Sequence, residues 1–355
     1  MKQRSKNWLK TLTEADGLPG YERGIAAIIE KEMKGRAKIS RDKLGSIICA
    51  KKGSTDRPRI MLPGHMDEVG FMVRSITKEG YIKFIPLGGW WPAVLPAQRV
   101  RIHSDKGIFD GVIGSKPPHK LSDEERKKPI EIKNLFIDIG VKDRDEATKK
   151  CGLSPGDPIV PICPFQEMAN SDYLLAKAHD DRIGCALFMD VITELKGRRH
   201  PNTVYGVGTV QEEVGLRGAK TASAVVNPDV AICLDVGLAT DIPGGEGDDA
   251  NKLGAGPQIS LYDSSMIPNL RLRDLFVKTA KRRKIPFQFQ ILERGGTDAG
   301  RIHLHSSGVP SLYLGLPTRY IHSSVGIIHK ADYDNALKLL IEVIMQLDAK
   351  TVAKL

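Results

Sequence analysis

The sequence predicts an α/β fold, a mainly parallel sheet covered on both faces by helices and interrupted by an all-β insert. Three observations lead there. Apolar runs of strand length alternate with segments of helical periodicity at both ends of the chain. Strands separated by helices imply parallel pairing with helices packed on both faces. Between about residues 69 and 165 the pattern changes to short alternating runs broken by glycine and proline, with little helical signal.

The elements follow in order. YERGIAAIIEKEM (21–33) spaces its apolar side chains three and four apart and reads as an amphipathic helix. RIMLPGHMDEVG (59–70) reads as a buried strand running into a loop. In the insert, YIKFIPL, QRVRIHS, GIFDGVIG and IEIKNLFIDIG are strand-like, whereas LSDEERKKP (121–129) is charged enough for an exposed loop. DRIGCALFMDVITEL (181–195) is helical, TVYGVGTV (203–210) and DVAICLDVG (229–237) are strands, and NLRLRDLFVKTAKRRK (269–284) is a helix. PFQFQIL (286–292) and PSLYLGL (310–316) complete the strands before a last helix, ADYDNALKLLIEVIMQLDA (331–349). The expected organisation is therefore 1–68 and 166–355 as two segments of one α/β domain, with 69–165 as the β-rich insert.

Composition narrows the function classes. At 41% hydrophobic and 27% charged residues the chain is ordinary for a globular protein. No apolar run approaches the roughly 18 residues of a membrane span. The start, MKQRSKNWLKTLTEADG, is basic and lacks an apolar signal core, so a cytoplasmic location is expected. Five scattered cysteines without a CxxC pair suggest neither a disulfide framework nor a thiolate zinc site. The net charge of +10 invites a nucleic-acid reading. However, its densest runs, KRRK (281–284) and GRRH (197–200), lack interleaved aromatics and follow apolar-periodic segments, which suits solvated helix ends. Neither nucleic acid nor membrane is expected as a partner, although the charge can steer acidic peptides toward the protein.

The chemistry concentrates at strand ends. PGHMDEVG sets His65 and Asp67 two apart, on the same side of an extended backbone. A metal-bound histidine usually has its other ring nitrogen held by a carboxylate or carbonyl, and Asp67 is placed for that. KAHDDRIG opens a helix with Asp180, TVQEEVG ends a strand with Glu212 and Glu213, and CLDVG ends another with Asp235. TRYIHSSVG adds His322 in a loop after PSLYLGL. Loops beyond the carboxyl ends of parallel strands converge on one crevice. Taken singly, a lone Asp or His near a strand end is more often a turn residue or a helix cap than a ligand. Together, two histidines and three carboxylates suit zinc, cobalt or manganese, where an all-oxygen set would favour magnesium or calcium. Two divalent ions would be balanced by Asp180, Glu213, Asp235 and one hydroxide. Glu212 is then left over to take a proton from water and return it to a leaving amine. Neighbours along an extended backbone point apart, so the adjacent glutamates can serve metal and water separately.

Other motifs carry less. GEGDDA (245–250) fits a dinucleotide-type pattern formally, but no strand runs into it and its aspartates would repel phosphate. There is no GK[ST] phosphate loop.

In this order the motifs closely resemble the dinuclear metallo-aminopeptidases that include the tetrahedral (TET), glutamyl and deblocking aminopeptidases. The resemblance spans nearly the whole chain, β-rich insert included, and GGTDAGRIH (295–303) and TRYIHS (318–323) also look like the family pattern. It implies a three-layer α/β/α catalytic domain (1–68 and 166–355) interrupted by a β-barrel-like, PDZ-like dimerisation domain (69–165). It implies one ion held by His65, Asp180 and Asp235 and a second held by Asp180, Glu213 and His322. Asp180 would bridge, Glu212 would be the general base and Asp67 would orient His65. The implied cofactors are two divalent ions, zinc or cobalt with manganese as an alternative. The implied partners are short peptides as substrates and further copies of the chain, as dimers and a tetrahedral dodecamer. Trp90 and Trp91 either anchor that self-association or fill the insert's own core. His179 stands where relatives often carry an apolar residue and is not expected to be a ligand. Rival readings are a dipeptidase or N-acyl amino acid deacylase on the same site, a glucanase, and a metal-stabilised assembly protein without turnover. A glucanase generally works with two carboxyl groups and no catalytic metal, which leaves the histidines unexplained.

Overall fold

Arg59–His65 carries buried residues at nearly every position, which places that segment inside a sheet covered on both sides. The structure, a computed structural model, describes residues 1–245, 247 and 251–355. Four residues of the GEGDDA motif thus lie outside the described residues. Along the chain, helices α1 (Gln3–Glu14) and α2 (Arg23–Met33) precede strands β1 (Lys38–Arg41), β2 (Ile47–Lys52) and β3 (Arg59–His65). Six strands follow: β4 (Gly70–Ile76), β5 (Ile82–Leu87), β6 (Arg99–Ser104), β7 (Gly107–Gly114), β8 (Phe136–Asp138) and β9 (Pro158–Pro161). Helix α3 (Asp123–Lys127) interrupts them between β7 and β8. Then come β10 (Gln166–Glu167), β11 (Tyr173–Ala176), α4 (His179–Glu194), β12 (Thr203–Thr209), α5 (Arg217–Val226), β13 (Val230–Leu238) and β14 (Gln258–Asp263). The chain closes with α6 (Leu270–Arg283), β15 (Gln288–Leu292), α7 (Ala299–Ile302), β16 (Ser311–Thr318), β17 (Gly326–His329), α8 (Lys330–Ile344) and α9 (Ala349–Val352).

Contacts divide the chain into two units. The larger comprises Met1–Asp67, Phe165–Ile321 and Val325–Leu355. Its larger sheet among the described residues has eight strands in the order β1-β2-β12-β3-β13-β16-β14-β15, and the central four, β12, β3, β13 and β16, are mutually parallel; β10, β11 and β17 form a second, three-stranded sheet. Period-two alternation feeds a core on each face. Ile60 and Leu62 of β3 and Ile232 and Leu234 of β13 join one core with residues of α1, α2, α4, α6 and α8. Met61, between Ile60 and Leu62, and Ala231, next to Ile232, join the other with residues of α5 and α7. Each fully buried Ile or Leu contributes about 2 kcal/mol of transfer free energy, so a one-residue slip of register would forfeit both faces.

The smaller unit, Glu68–Pro164 with His322–Ser324, is a closed antiparallel barrel in the order β4-β5-β8-β7-β6-β9. Phe71, Phe84, Ile102, Ile137 and Ile159 fill it. The adjacent tryptophans part company there. Trp90 stacks on Phe71 with ring centroids 4.7 Å apart and donates its indole N–H to the Gly70 carbonyl, whereas Trp91 is 70% exposed. LSDEERKKP is not simply a loop: Ser122 and Glu125 form a reciprocal capping box that starts α3, which stays exposed. Lys281–Lys284 does end a solvated helix, at the carboxyl end of α6. Four of the five cysteines are buried. Among the described residues no helix is long and apolar enough to cross a membrane.

Candidate metal and catalytic site

The sheet itself brings the predicted carboxylates and His65 together. His65 is the last residue of β3, and Glu212 and Glu213 follow β12 directly beside it. The β3–β13 ladder consists of Ile60–Val230 and Met61–Ala231, and four residues further along both strands lie His65 and Asp235. Asp180 and Asp181 open α4 with non-helical backbone, joined by a cis peptide bond. Close approach of α4 to β3 depends on two glycines. A Cβ at Gly64 would sit 2.7 Å from the carbonyl carbon of Gly184, and one at Gly184 would sit 2.4 Å from an oxygen of Asp181. In that space the Asp181 carboxylate accepts the N–H of His65 at 3.0 Å and of Gly184 at 2.9 Å.

Side-chain geometry then converges. His65 Nε2 lies 3.0 Å from Asp180 Oδ1 and 3.9 Å from both Glu212 Oε2 and Asp235 Oδ1. Two groups offer ligand atoms all within 4.8 Å of one another: His65, Asp180 and Glu213, and His65, Asp181 and Asp235. Both oxygens of Asp181 already receive backbone donors. His322 joins neither group. It belongs to the barrel unit, where its Nδ1 is 3.0 Å from the Gly89 carbonyl oxygen. His179 is buried and burial pulls its pKa down to about 4, and it joins neither group as well.

Asp67 works differently from the sequence expectation. The contact to His65 Nδ1 comes from the backbone carbonyl of Asp67 at 2.9 Å, while the carboxylate stands 3.7 Å away. Fully buried, that carboxylate instead accepts the N–H of Glu212 on one oxygen and of Glu213 on the other, each at 3.0 Å. One residue therefore seats the histidine through its main chain and both glutamates through its side chain.

A match to the family described as M42 glutamyl aminopeptidase covers residues 45–339. The chain belongs to the M42 glutamyl aminopeptidase family. It is 34% identical over 351 residues to the glutamyl aminopeptidase of Lactococcus lactis, covering 98% of both chains. It superposes on the TET aminopeptidase of a marine-sediment thaumarchaeon with a TM-score of 0.96 and 49% identity, covering 99% of this chain and 98% of that one. The TET1 peptidase of Pyrococcus horikoshii, described as able to assemble into a tetrahedron or a large octahedral shell, aligns with a TM-score of 0.86 and 34% identity, over 97% and 100% of the two chains.

Electrostatically this M42 site is overloaded with negative charge. Burial first, and then neighbouring carboxylates, hold Glu212, Glu213 and Asp235 well above the usual carboxylate range. Burial opposes a proton on His65, but Glu212, Asp180, Asp67 and Asp235 outweigh it and raise that pKa well above its ordinary value. The sequence reading missed Asp298. It is buried, accepts the Thr209 hydroxyl at 2.5 Å, and burial pushes it up to about 6. It stands inside GGTDAGRIH, so the motif was visible, but nothing local in the sequence joins it to Thr209.

Proposed function

We propose that this M42 aminopeptidase is a dinuclear metal enzyme that removes residues from the N-termini of short peptides. The observation that carries the reading is the gathering of Asp180 and Glu213 on one side and Asp235 on the other about the shared His65, with Glu212 alongside and held by Asp67. The donor set fits divalent cations. An imidazole with several carboxylates suits zinc or cobalt, with manganese as an alternative, and buried carboxylates pushed toward protonation by one another are relieved by positive charge.

His65, Asp180 and Asp235 would hold one ion, and Asp180 and Glu213 the second, with Asp180 shared. The sequence pattern supplies His322 as a further ligand to the second ion. When bound, the ions would polarise the scissile carbonyl and acidify the attacking water. Glu212 takes the proton from that water and delivers it to the departing amine nitrogen. Asp67 keeps Glu212 and Glu213 in fixed register, so the base does not have to be ordered during the reaction. A free N-terminal amine fixes the cut at the first residue.

TET relatives described as a dodecamer and as assembling into a tetrahedron or an octahedral shell support self-association of this chain, as a dimer and a tetrahedral dodecamer, and the basic start without an apolar signal core supports work in the cytoplasm. The deciding experiment is hydrolysis of an aminoacyl-chromophore panel by metal-stripped protein, with zinc, cobalt or manganese added back. Turnover restored by metal, and lost when the substrate amine is acetylated, is expected. Activity confined to dipeptides, to N-acyl amino acids or to cellulose would replace the reading with the corresponding rival.

A further inference from the structure

The proposed chemistry asks two neighbouring glutamates for different work, one on metal and one on water. The backbone beneath them has to be held still for that. Three successive amides are each tied to a buried carboxylate. Those of Glu212 and Glu213 end on Asp67, and the one before them, Gln211, donates to Oε1 of Glu22 at 3.0 Å. On its outer side the same turn closes on itself: the N–H groups of Gly215 and Leu216 return to the Glu212 carbonyl, and that of Arg217 returns to the Gln211 carbonyl. Gln211 takes a φ of +56°, a region a side chain adopts reluctantly and keeps only where its surroundings fix it.

Glu22 is an unusual provider. It occupies the N-cap position of α2, yet its side chain makes no capping bond to that helix. The carboxylate accepts the N–H of Gly20 at 2.8 Å and that of Gln211, and the residue is 4% exposed. A buried carboxylate that neglects its own helix and reaches an amide 189 positions away is spent on that amide. The segment leading to it is anchored too. Arg182, fully buried and next to Asp181, donates to the carbonyls of Leu12 at 2.6 Å, Ala15 at 3.1 Å and Gly17 at 3.0 Å. The N-terminal strap thus touches both the start of α4 and the glutamate loop.

We infer that Glu22 is a positioning residue: by holding the Gln211 amide it sets the orientation of Glu212 and Glu213. The inference rests on the role proposed above for Glu212. The experiment compares Glu22→Ala, Glu22→Gln and Glu22→Asp in the full-length, metal-loaded chain. Glu22→Gln keeps an acceptor oxygen at the same reach and is expected to stay within about 3-fold of the parent kcat, whereas Glu22→Ala falls about 10- to 100-fold, as outer partners of metal sites do, with KM little changed. A folded Glu22→Ala with parental kcat, or a Glu22→Gln as impaired as Glu22→Ala, would overturn the inference. If Glu22→Ala does not fold, the shorter Glu22→Asp decides, since it cannot reach both amides; a parental kcat in that variant overturns it equally. Hydrogen exchange across residues 209–216 reads the same contact without any substrate. Exchange there should be faster in Glu22→Ala or Glu22→Asp than in Glu22→Gln, and equal protection in all three sinks the inference even if no substrate is turned over.

Discussion

Replacing Asp67 with Asn tests the glutamate cradle most directly. The side chain keeps its shape, but one of the two oxygens becomes an NH2 group facing a backbone N–H. The Glu212 and Glu213 amides now share a single acceptor where each had its own at 3.0 Å. A hydrogen bond to a charged group is worth about 1.5–3 kcal/mol, and an orphaned buried donor costs about 1–3 kcal/mol. Losing one such bond and opposing two donors therefore strains the loop by about 2.5–6 kcal/mol. If about 3 kcal/mol of that is lost from the reactive arrangement, kcat falls about 100-fold. The backbone carbonyl of residue 67 is untouched, so His65 should keep its Nδ1 partner. The assay is turnover of an aminoacyl chromophore at saturating metal, with bound metal measured by mass spectrometry. A variant with parental kcat under those conditions would refute the cradle.

The other predictions follow from the same geometry. Glu212→Gln should lower kcat by about 10²–10⁴-fold, the usual contribution of a general base, while metal content stays at the parental level; parental turnover would remove Glu212 from the mechanism. His322→Ala should reduce bound metal from two ions to one in a metal titration, and full occupancy would take His322 out of the ligand set. Thr209→Val deprives the buried Asp298 of its hydroxyl donor and should cost about 1–3 kcal/mol, read as a lower melting temperature. Metal removal should also create a pH dependence. Glu212, Glu213, Asp235 and His65 all sit above their ordinary pKa values, so the metal-free native chain binds more protons than the unfolded one. The stability that these four groups contribute is fully present in acid and is lost as pH rises through the raised values. His179, near 4, works in the opposite sense between that value and about 6.5, so the comparison belongs above about pH 6.5. There the melting temperature of stripped protein should fall with rising pH while that of the zinc-loaded protein holds. A stripped protein that gained stability with pH would contradict the charge assignment.

What could be read from the sequence follows physical reach. Strands β3, β12, β13 and β16 were legible because central parallel strands are apolar throughout, and α4, α6 and α8 because their apolar residues recur at helical spacing. Helix α1 went unread although Ser5, Trp8, Leu9, Leu12 and Thr13 form its buried stripe, since only three of those five are apolar. Helix α5, RGAKTASAVV, buries Gly218, Ala219, Ala222, Ser223 and Val226, and all but the last are too small to signal a core. Helix α3 was signalled by Ser122 and Glu125, a capping pattern masked by the surrounding charge. In the site, residues at strand ends and the Asp180–Asp181 pair stood out, whereas the contacts made by Asp181, Asp298 and Glu22 did not. Their partners are Gly184 and the His65 amide, Thr209, and the Gln211 amide, and no local pattern announces a carboxylate whose acceptor role is fulfilled across the fold.

The two glycines where α4 meets β3 carry a consequence for how such a centre drifts over generations. Neither Gly64 nor Gly184 has any chemistry of its own, yet the spacing between the strand that bears His65 and the turn that bears Asp180 is set by the hydrogens they carry in place of methyl groups. A single added carbon would wedge the two apart while every charged side chain stayed intact. Inheritance of the catalytic centre therefore hinges as much on two silent positions as on the ionisable ones, and an otherwise perfect set of ligands behind a bulkier residue 64 would be a relic.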